Sequence, residues 1–239
     1  MPSTPLTDAI QALTTYANTV TGASDTDLSS AVDTLAAGYG AGGYSLDDFV
    51  SGAEPSGDVT TNATTIFTYV FCNRNAVLSV TAPNAVTVGE RAFGDNTGIK
   101  SIYVGGINAT FASYAVDGCQ NLEELHIPNA KSSFSFGGYG LRNCKKLKLI
   151  DFGYAGSINF QSLPSNSPLD TVIVRKTGTV ATLTANSLNN SLAFANGGTG
   201  GEVYVPSALI DSYKVATNWS TYYGYGTMTF KAIEGSIYE

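Results

Sequence analysis

The amino-acid sequence predicts a β-rich solenoid with a short α-helical module before it and a C-terminal cap after it. Three observations carry that expectation. An apolar skeleton recurs along the chain with a period in the low twenties, the length of one coil of a stacked-repeat protein. Within each period short runs alternate apolar and polar residues, which is strand spacing rather than helix spacing. Charged residues make up only 13% of the chain, while Gly reaches 26 and Tyr and Phe reach 14 and 11, a balance that suits turn-rich β structure. The same balance argues against a helical bundle and against a charged disordered chain.

The coils can be set out in order. "VLSVTA" supplies Val77, Val80 and Ala82; "IKSIYV" supplies Ile99, Ile102 and Val104; "LEELHI" supplies Leu122, Leu125 and Ile127. "LKLIDF" then gives Leu147, Ile150 and Phe152, "LDTVIV" gives Leu169, Val172 and Val174, and "GEVYVP" gives Val203 and Val205. The central anchors Val80, Ile102, Leu125, Ile150, Val172 and Val203 lie 22, 23, 25, 22 and 31 residues apart. L-x-x-L-x-L at this period is the signature of a leucine-rich-repeat solenoid. A second beat, Val88, Phe111, Phe136, Phe160 and Leu183, recurs at gaps of 23, 25, 24 and 23 and predicts an extended segment on the other side of each coil. Pro83, Gly105, Pro128, Gly153 and Pro206 fall at the corners between the two.

Cys119 and Cys144 each precede their first anchor by three residues, and Asn96 stands at the same place one coil earlier. A repeated Asn/Cys position predicts a buried ladder that satisfies backbone groups, rather than a disulfide between coils. With Cys72 the chain has three cysteines, no C-x-x-C pair and a single histidine, His126, so no zinc or redox motif can be assembled. No P-loop, strand-linked G-x-G-x-x-G or EF-hand pattern is present either, and no metal or cofactor is expected.

Charge divides the chain. Residues 1–73 hold eight acids and no Lys or Arg, a net of −8; the remainder holds twelve basic residues against eleven acids, a net of +1. Two modules with different surroundings are implied, and the first is unsuited to nucleic acid, whose phosphates require Lys and Arg. The cluster Lys145, Lys146 and Lys148 is a solvated face rather than a nucleic-acid site. In the first module Leu6, Ile10, Leu13 and Ala17, then Leu28, Val32 and Leu35, fall at helical spacing, the second run ending at Gly38–Gly43. Helices this short and narrowly apolar need a partner surface. The boundaries expected are 1–50 for an attachment or oligomerisation module, 51–66 for a linker and opening coil, 67–206 for the solenoid and 207–239 for the cap. The N-terminus shows no secretory signal and no stretch approaches a membrane span, so neither export by that route nor membrane insertion is expected.

"AFGDNTGIKSIYV", "AVDGCQNLEELHIPNA" and "GLRNCKKLKLIDF" resemble the units of BspA-type leucine-rich repeats, and "VYVPSALIDSYKVATNWSTYYG" resembles the segment that often ends such proteins. The resemblance covers roughly residues 65–235 and implies that Tyr213, Trp219 and Tyr222 close the open end of the core. It is specific for fold; the family includes surface adhesins, secreted gut-bacterial proteins and phage-encoded proteins. The N-terminal stretch "PLTDAIQALTTYANTVTGASDTDLSSAVDTLAAGYGAGGYSLDDF" is similar to the helical lead-in of tail or other virion proteins from phages of gut Firmicutes.

The outward residues of the L-x-L strands are the variable ones. One column runs Thr81, Tyr103, His126, Asp151, Ile173, Tyr204, and its neighbour runs Ser79, Ser101, Glu124, Leu149, Thr171, Glu202. Parallel strands about 4.8 Å apart would set Tyr103, His126 and Asp151 side by side. Tyr103, Glu124, His126, Asp151 and Tyr204 are therefore the candidate ligand-binding residues, with aromatic rings as a platform for a sugar or protein. Glu124 and Asp151, diagonal at about 7 Å, approach the carboxylate separation of an inverting glycosidase. An exposed sheet offers no cleft to raise a general acid's pKa and no oxyanion hole for a Ser101–His126–Asp151 triad, so no catalytic residue is assigned. The residues and the resemblance together lead to a non-enzymatic phage virion component, reaching the outside by assembly and lysis. It would dock on other virion proteins through its N-terminal module, be trimeric by analogy with such fibres, and present the solenoid to a host glycan or protein. A bacterial surface adhesin of the same repeat type is the alternative, and a tail-associated glycan hydrolase the third reading.

Overall fold

A computed structural model of the protein describes residues 56–130, 133–160 and 163–239. The two expected N-terminal helices, and the whole 1–50 module, lie outside the described residues.

The chain coils into a parallel β-solenoid. Its main wall is an eight-stranded sheet of β1 (Gly57–Thr60), β3 (Val77–Ala82), β5 (Ser101–Val104), β7 (Glu124–His126), β9 (Leu149–Asp151), β11 (Thr171–Ile173), β13 (Gly201–Val205) and β14 (Met228–Ala232), in that order. The opposite wall is made of two three-stranded sheets. One holds β2 (Thr65–Ile66), β4 (Thr87–Val88) and β6 (Thr110–Phe111); the other holds β8 (Ser133–Ser135), β10 (Ser157–Asn159) and β12 (Thr182–Leu183). Every pairing is parallel, because each strand returns to its neighbour only after a full coil.

All six central anchors fall in one register row: Val80, Ile102, Leu125, Ile150, Val172 and Val203 are Cα partners in succession. Each is at most 1% exposed, so the repeated letters are the residues that must match from coil to coil. The row runs further than the motif does, reaching Val59 at one end and Phe230 at the other. Residues 57–66 thus complete a coil although they show no repeat pattern, since one apolar residue between Asp58 and Thr60 is too little for a period to register.

The second beat is shifted by two residues in one coil. Ile66, Val88 and Phe111 are in register, Phe111 bridges to Phe136, and β8 and β10 keep the Phe136–Phe160 step by pairing Phe134 with Ile158, but β12 sets Leu183 beside Ile158, not Phe160. Phe134 and Phe136 both point inward, their rings 4.9 Å apart, and a slip of two leaves every inward residue inward. Phe160, which the spacing expects beside Leu183, packs edge-on to Phe152 at 5.1 Å.

The Asn/Cys ladder is present and extends further. Asn96 donates to the Phe71 carbonyl at 3.2 Å and accepts from the N–H groups of Gly98 and Ile99. Cys119 donates to the Phe93 carbonyl and Cys144 to that of Val116, at 3.0 and 3.2 Å. Ser191 continues the series, donating to the Leu169 carbonyl at 2.6 Å. Both thiols are free, and burial pushes each well above the ordinary thiol range. Just before the ladder position the chain turns through a left-handed residue in five successive coils: Asn73, Asp95, Gly118, Asn143 and Asn166. At Gly118, where φ is +79°, the close neighbour adds to the strain a side chain would meet, since a Cβ would stand 3.0 Å from the Asp95 Cα.

After β13 come a 3₁₀ turn (Ser207–Leu209), α1 (Ile210–Val215) and α2 (Trp219–Gly224). Tyr213, Trp219 and Tyr222 are fully buried. The Trp219 indole donates to the Ala181 carbonyl at 2.7 Å, while the hydroxyls of Tyr213 and Tyr222 accept from the N–H groups of Ala181 and Leu188, both at 3.0 Å. Backbone of the last coil thereby finds partners in side chains where a further coil would have supplied them. The chain then returns to the main sheet as β14, a strand whose "MTFKA" carries no L-x-x-L signature.

Candidate functional site

The outward rows of the main sheet hold the candidate residues. The first row runs Thr60, Thr81, Tyr103, His126, Asp151, Ile173, Tyr204, Lys231; the second runs Asp58, Ser79, Ser101, Glu124, Leu149, Thr171, Glu202, Thr229. Both expected columns are reproduced, and each gains one strand at either end.

Three of the five candidates form one group. The rings of Tyr103 and His126 lie 6.4 Å apart at 33°, and His126 Nε2 is 3.2 Å from Glu124 Oε2. Glu124 has a half-exposed side chain and His126 a quarter-exposed one, so both face solvent. Gly105 makes room for the Tyr103 ring: a Cβ there would come within 2.8 Å of the Tyr103 Cε1 atom.

The other two candidates are placed differently from expectation. Asp151 is His126's register partner, yet it is only 3% exposed. Its Oδ1 accepts the Gly153 N–H at 2.8 Å, and its Oδ2 accepts two N–H groups of Arg175, at 2.9 and 3.3 Å. A buried carboxylate requires such partners, and the guanidinium comes from the corner after β11, outside the repeating motif. Asp151 is therefore a structural ion pair and not part of an exposed Tyr-His-Asp row. The carboxylate pair loses its second acid and the Ser-His-Asp arrangement its only one, since both oxygens of Asp151 are occupied.

Tyr204 is partly covered by the C-terminal residues. Residues 233–239 turn back over the sheet, and Ile233 and Tyr238 pack on Leu149, Ile173 and Tyr204 as a second apolar cluster. The Tyr238 ring meets the Tyr204 ring edge-on at 4.7 Å. The Tyr204 hydroxyl donates to Glu202 at 2.8 Å, and Lys231 bonds the other carboxylate oxygen of Glu202. Those bonds, Lys231 first and then Tyr204, hold Glu202 below the usual carboxylate range. Burial, and after it the charge of Glu124, Glu202 and Asp170, raises the Tyr238 phenol. The tail is fixed by its own turn: Ile233 N–H donates to the Val205 carbonyl, Glu234 accepts from Ser207 N–H, and Glu239 accepts from Gly235 N–H.

The outward face thus has a covered part, β9 to β13, and an open part, β1 to β7. A model of the BspA type leucine rich repeat region matches residues 59–194 in six copies, more than half of the chain. The chain belongs to the BspA-type leucine-rich repeat family. A solenoid of this family is typically non-catalytic, and its repeats are consistent with a binding or adhesin role. A search of the curated proteins finds no match to this chain.

Tyr238 and Arg175 are the residues that sequence reasoning missed. The signal for Tyr238's row was present: Leu149 and Ile173 are the two apolar residues in otherwise polar columns, and an apolar patch on a solvated strand face calls for a cover. Nothing comparable pointed to Arg175. Among the described residues no group of three or more His, Cys, Asp or Glu is placed to hold a metal ion, and no helix is long and apolar enough to cross a membrane.

Proposed function

We propose that this BspA-type repeat protein is a non-enzymatic binding component of a virion from a phage of gut Firmicutes. Its N-terminal residues would dock it on other virion proteins, as a homotrimer, and the open part of the outward sheet would meet the host surface. The observation that carries the binding role is the division of that sheet. The chain spends its own tail on covering the apolar rows, and leaves Tyr103, His126 and Glu124 grouped and accessible on the neighbouring strands. Docking through the N-terminal module is supported by its composition, acid-rich and free of Lys and Arg over residues 1–73, and by its resemblance to virion lead-in segments.

Two measurements test the reading. Full-length chain, labelled on the N-terminal amine, is expected to adhere to gut Firmicutes cells, and the Tyr103→Ala/His126→Ala double variant to lose that adhesion without loss of folding. Adhesion that survives the double variant removes this face as the binding surface. Immunogold labelling with antibody to the chain then places it: gold on phage particles supports the virion role, whereas gold on the wall of uninfected bacteria establishes the adhesin reading in its stead.

A further inference from the structure

The grouping of Tyr103, His126 and Glu124 also limits what can bind there. We propose that these three side chains form a subsite for a pyranose ring of a glycan that carries no acid groups. This rests on the open part of the sheet being the binding face, and adds the chemical class of the ligand.

Three features converge on that class. The first is the floor. Two rings on adjacent strands, 6.4 Å apart and 33° from parallel, make a shallow platform, and the Tyr103 ring lies against Gly105, where any side chain would displace it. A π face of this kind accepts the C–H face of a sugar, which is apolar on one side and hydroxylated at its rim. The second is the rim. Glu124 beside the platform offers carboxylate oxygens as acceptors, which form strong hydrogen bonds with hydroxyl donors. Ser79, Thr81 and Ser101 carry the polar rows onward to the next two strands, so hydroxyl-bearing partners continue beyond one ring.

The third is charge. In the two outward rows from β1 to β7 the carboxylates are Asp58 and Glu124 and the one basic side chain is His126, while Lys100 lies exposed at the edge, next to Ser101. Asp58 accepts from the Ser79 hydroxyl at 2.7 Å, and Glu124 contacts His126. The nearby tail adds Tyr238, whose phenol lies within the field of Glu124. A sulfated, phosphorylated or uronate-bearing chain would meet the carboxylates of Glu124 and Asp58 within these rows. A lysine side chain from a protein partner would suit Glu124, but cations are held best where rings enclose them. Here the rings lie on an open sheet, which favours a flat ligand over a pointed one.

His126 is the only histidine in the chain, so its ring C–H signals report on this face alone in a proton NMR spectrum of the full chain. The probes are cellohexaose, the N-acetylglucosamine hexamer and mannan as neutral glycans, with hyaluronan and polysialic acid as acidic ones. The expected result is a saturable shift of the His126 signals with at least one neutral glycan and none with the acidic pair. Tyr103→Ala should weaken that binding about tenfold, while Tyr103→Phe, which keeps the ring, should stay within about twofold of the parent. Tyr223→Ala, which removes an exposed ring at the far end of the molecule, should change nothing. Equal or tighter binding of the acidic glycans overturns the proposal, as does a neutral glycan that binds while His126 stays unmoved. If no neutral glycan moves His126 yet the double variant abolishes adhesion to cells, the sugar class falls while the binding face stands, and the occupant is a protein.

Discussion

From β1 to β7 the outward rows present Asp58, Ser79, Ser101 and Glu124 beside Thr60, Thr81, Tyr103 and His126. From β9 to β13 the same two rows hold Leu149 and Ile173 under Ile233 and Tyr238, with Asp151 turned to Arg175 and Tyr204 to Glu202. Backbone, register and strand spacing continue unchanged from one part to the other. What differs is whether the side chain has a job in holding the molecule together. The solenoid fixes where an outward side chain sits, and its neighbours decide whether it is free to meet a ligand.

The largest expected difference is in stability. Ile173 is 1% exposed on what would otherwise be a solvated face. Ile173→Ala should cost about 2–5 kcal/mol by lost burial and the cavity left beneath the tail. Tyr103→Ala, on the same row two strands before Asp151, should change stability by no more than about 0.5 kcal/mol. Urea unfolding of both variants measures the contrast. Equal losses would mean that the open part is also held by unseen packing, and the division of the face would no longer stand.

The carboxylates give a sharper and somewhat smaller contrast. Removing Asp151 leaves the Arg175 guanidinium without its partner and the Gly153 N–H unmade. Arg175 is a quarter exposed and regains some water, so Asp151→Ala should cost about 2–3 kcal/mol, less than for a fully buried pair. Glu124→Ala removes an exposed partner of His126 and should cost less than about 1 kcal/mol. Near-equal values would restore Asp151 to the open face and revive the carboxylate pair.

These contrasts also mark how far the sequence could be read. Inward residues were legible because the interior allows few substitutions: Val80, Ile102, Leu125, Ile150, Val172 and Val203 advertise one row, and the structure adds only its ends, Val59 and Phe230. The polar ladder was legible for the same reason, since Asn96, Cys119 and Cys144 all meet a backbone carbonyl from a neighbouring coil. Outward residues were legible in position but not in role. His126 and Asp151 are register partners as their spacing predicts, yet the partner that decides Asp151's role arrives from a corner 24 residues later with no periodic mark. Tyr204 was misplaced through the tail, whose turn depends on Gly235 and on side-chain bonds that follow no repeat. Leu183 shows the remaining limit: where Ile158 and Phe160 both point inward, spacing does not say which one it faces.

The smallest effect should come from the boundary between the two parts, at Tyr238. Its phenol is raised above the ordinary tyrosine value, by burial first and by Glu124, Glu202 and Asp170 after it. A raised folded-state value means that folding favours the neutral phenol. The stability it contributes is complete below the unfolded value of about 10 and is lost as pH climbs through the folded one. The tail should therefore stay down at neutral pH and lift in alkali, exposing Leu149 and Ile173 while the inward rows remain packed. Amide exchange of Ile233, taken relative to the base-catalysed rate of an unprotected amide at the same pH, should then accelerate above that range in the parent. In Tyr238→Phe, which keeps the edge-on contact with Tyr204 but has no proton to lose, the acceleration should be absent. If the parent and Tyr238→Phe accelerate together, the tail is released by something other than this phenol. The cover over β9 to β13 would then depend on Ile233 and the turn at Gly235 alone, and Tyr238 would belong with Glu124 on the open side of the face.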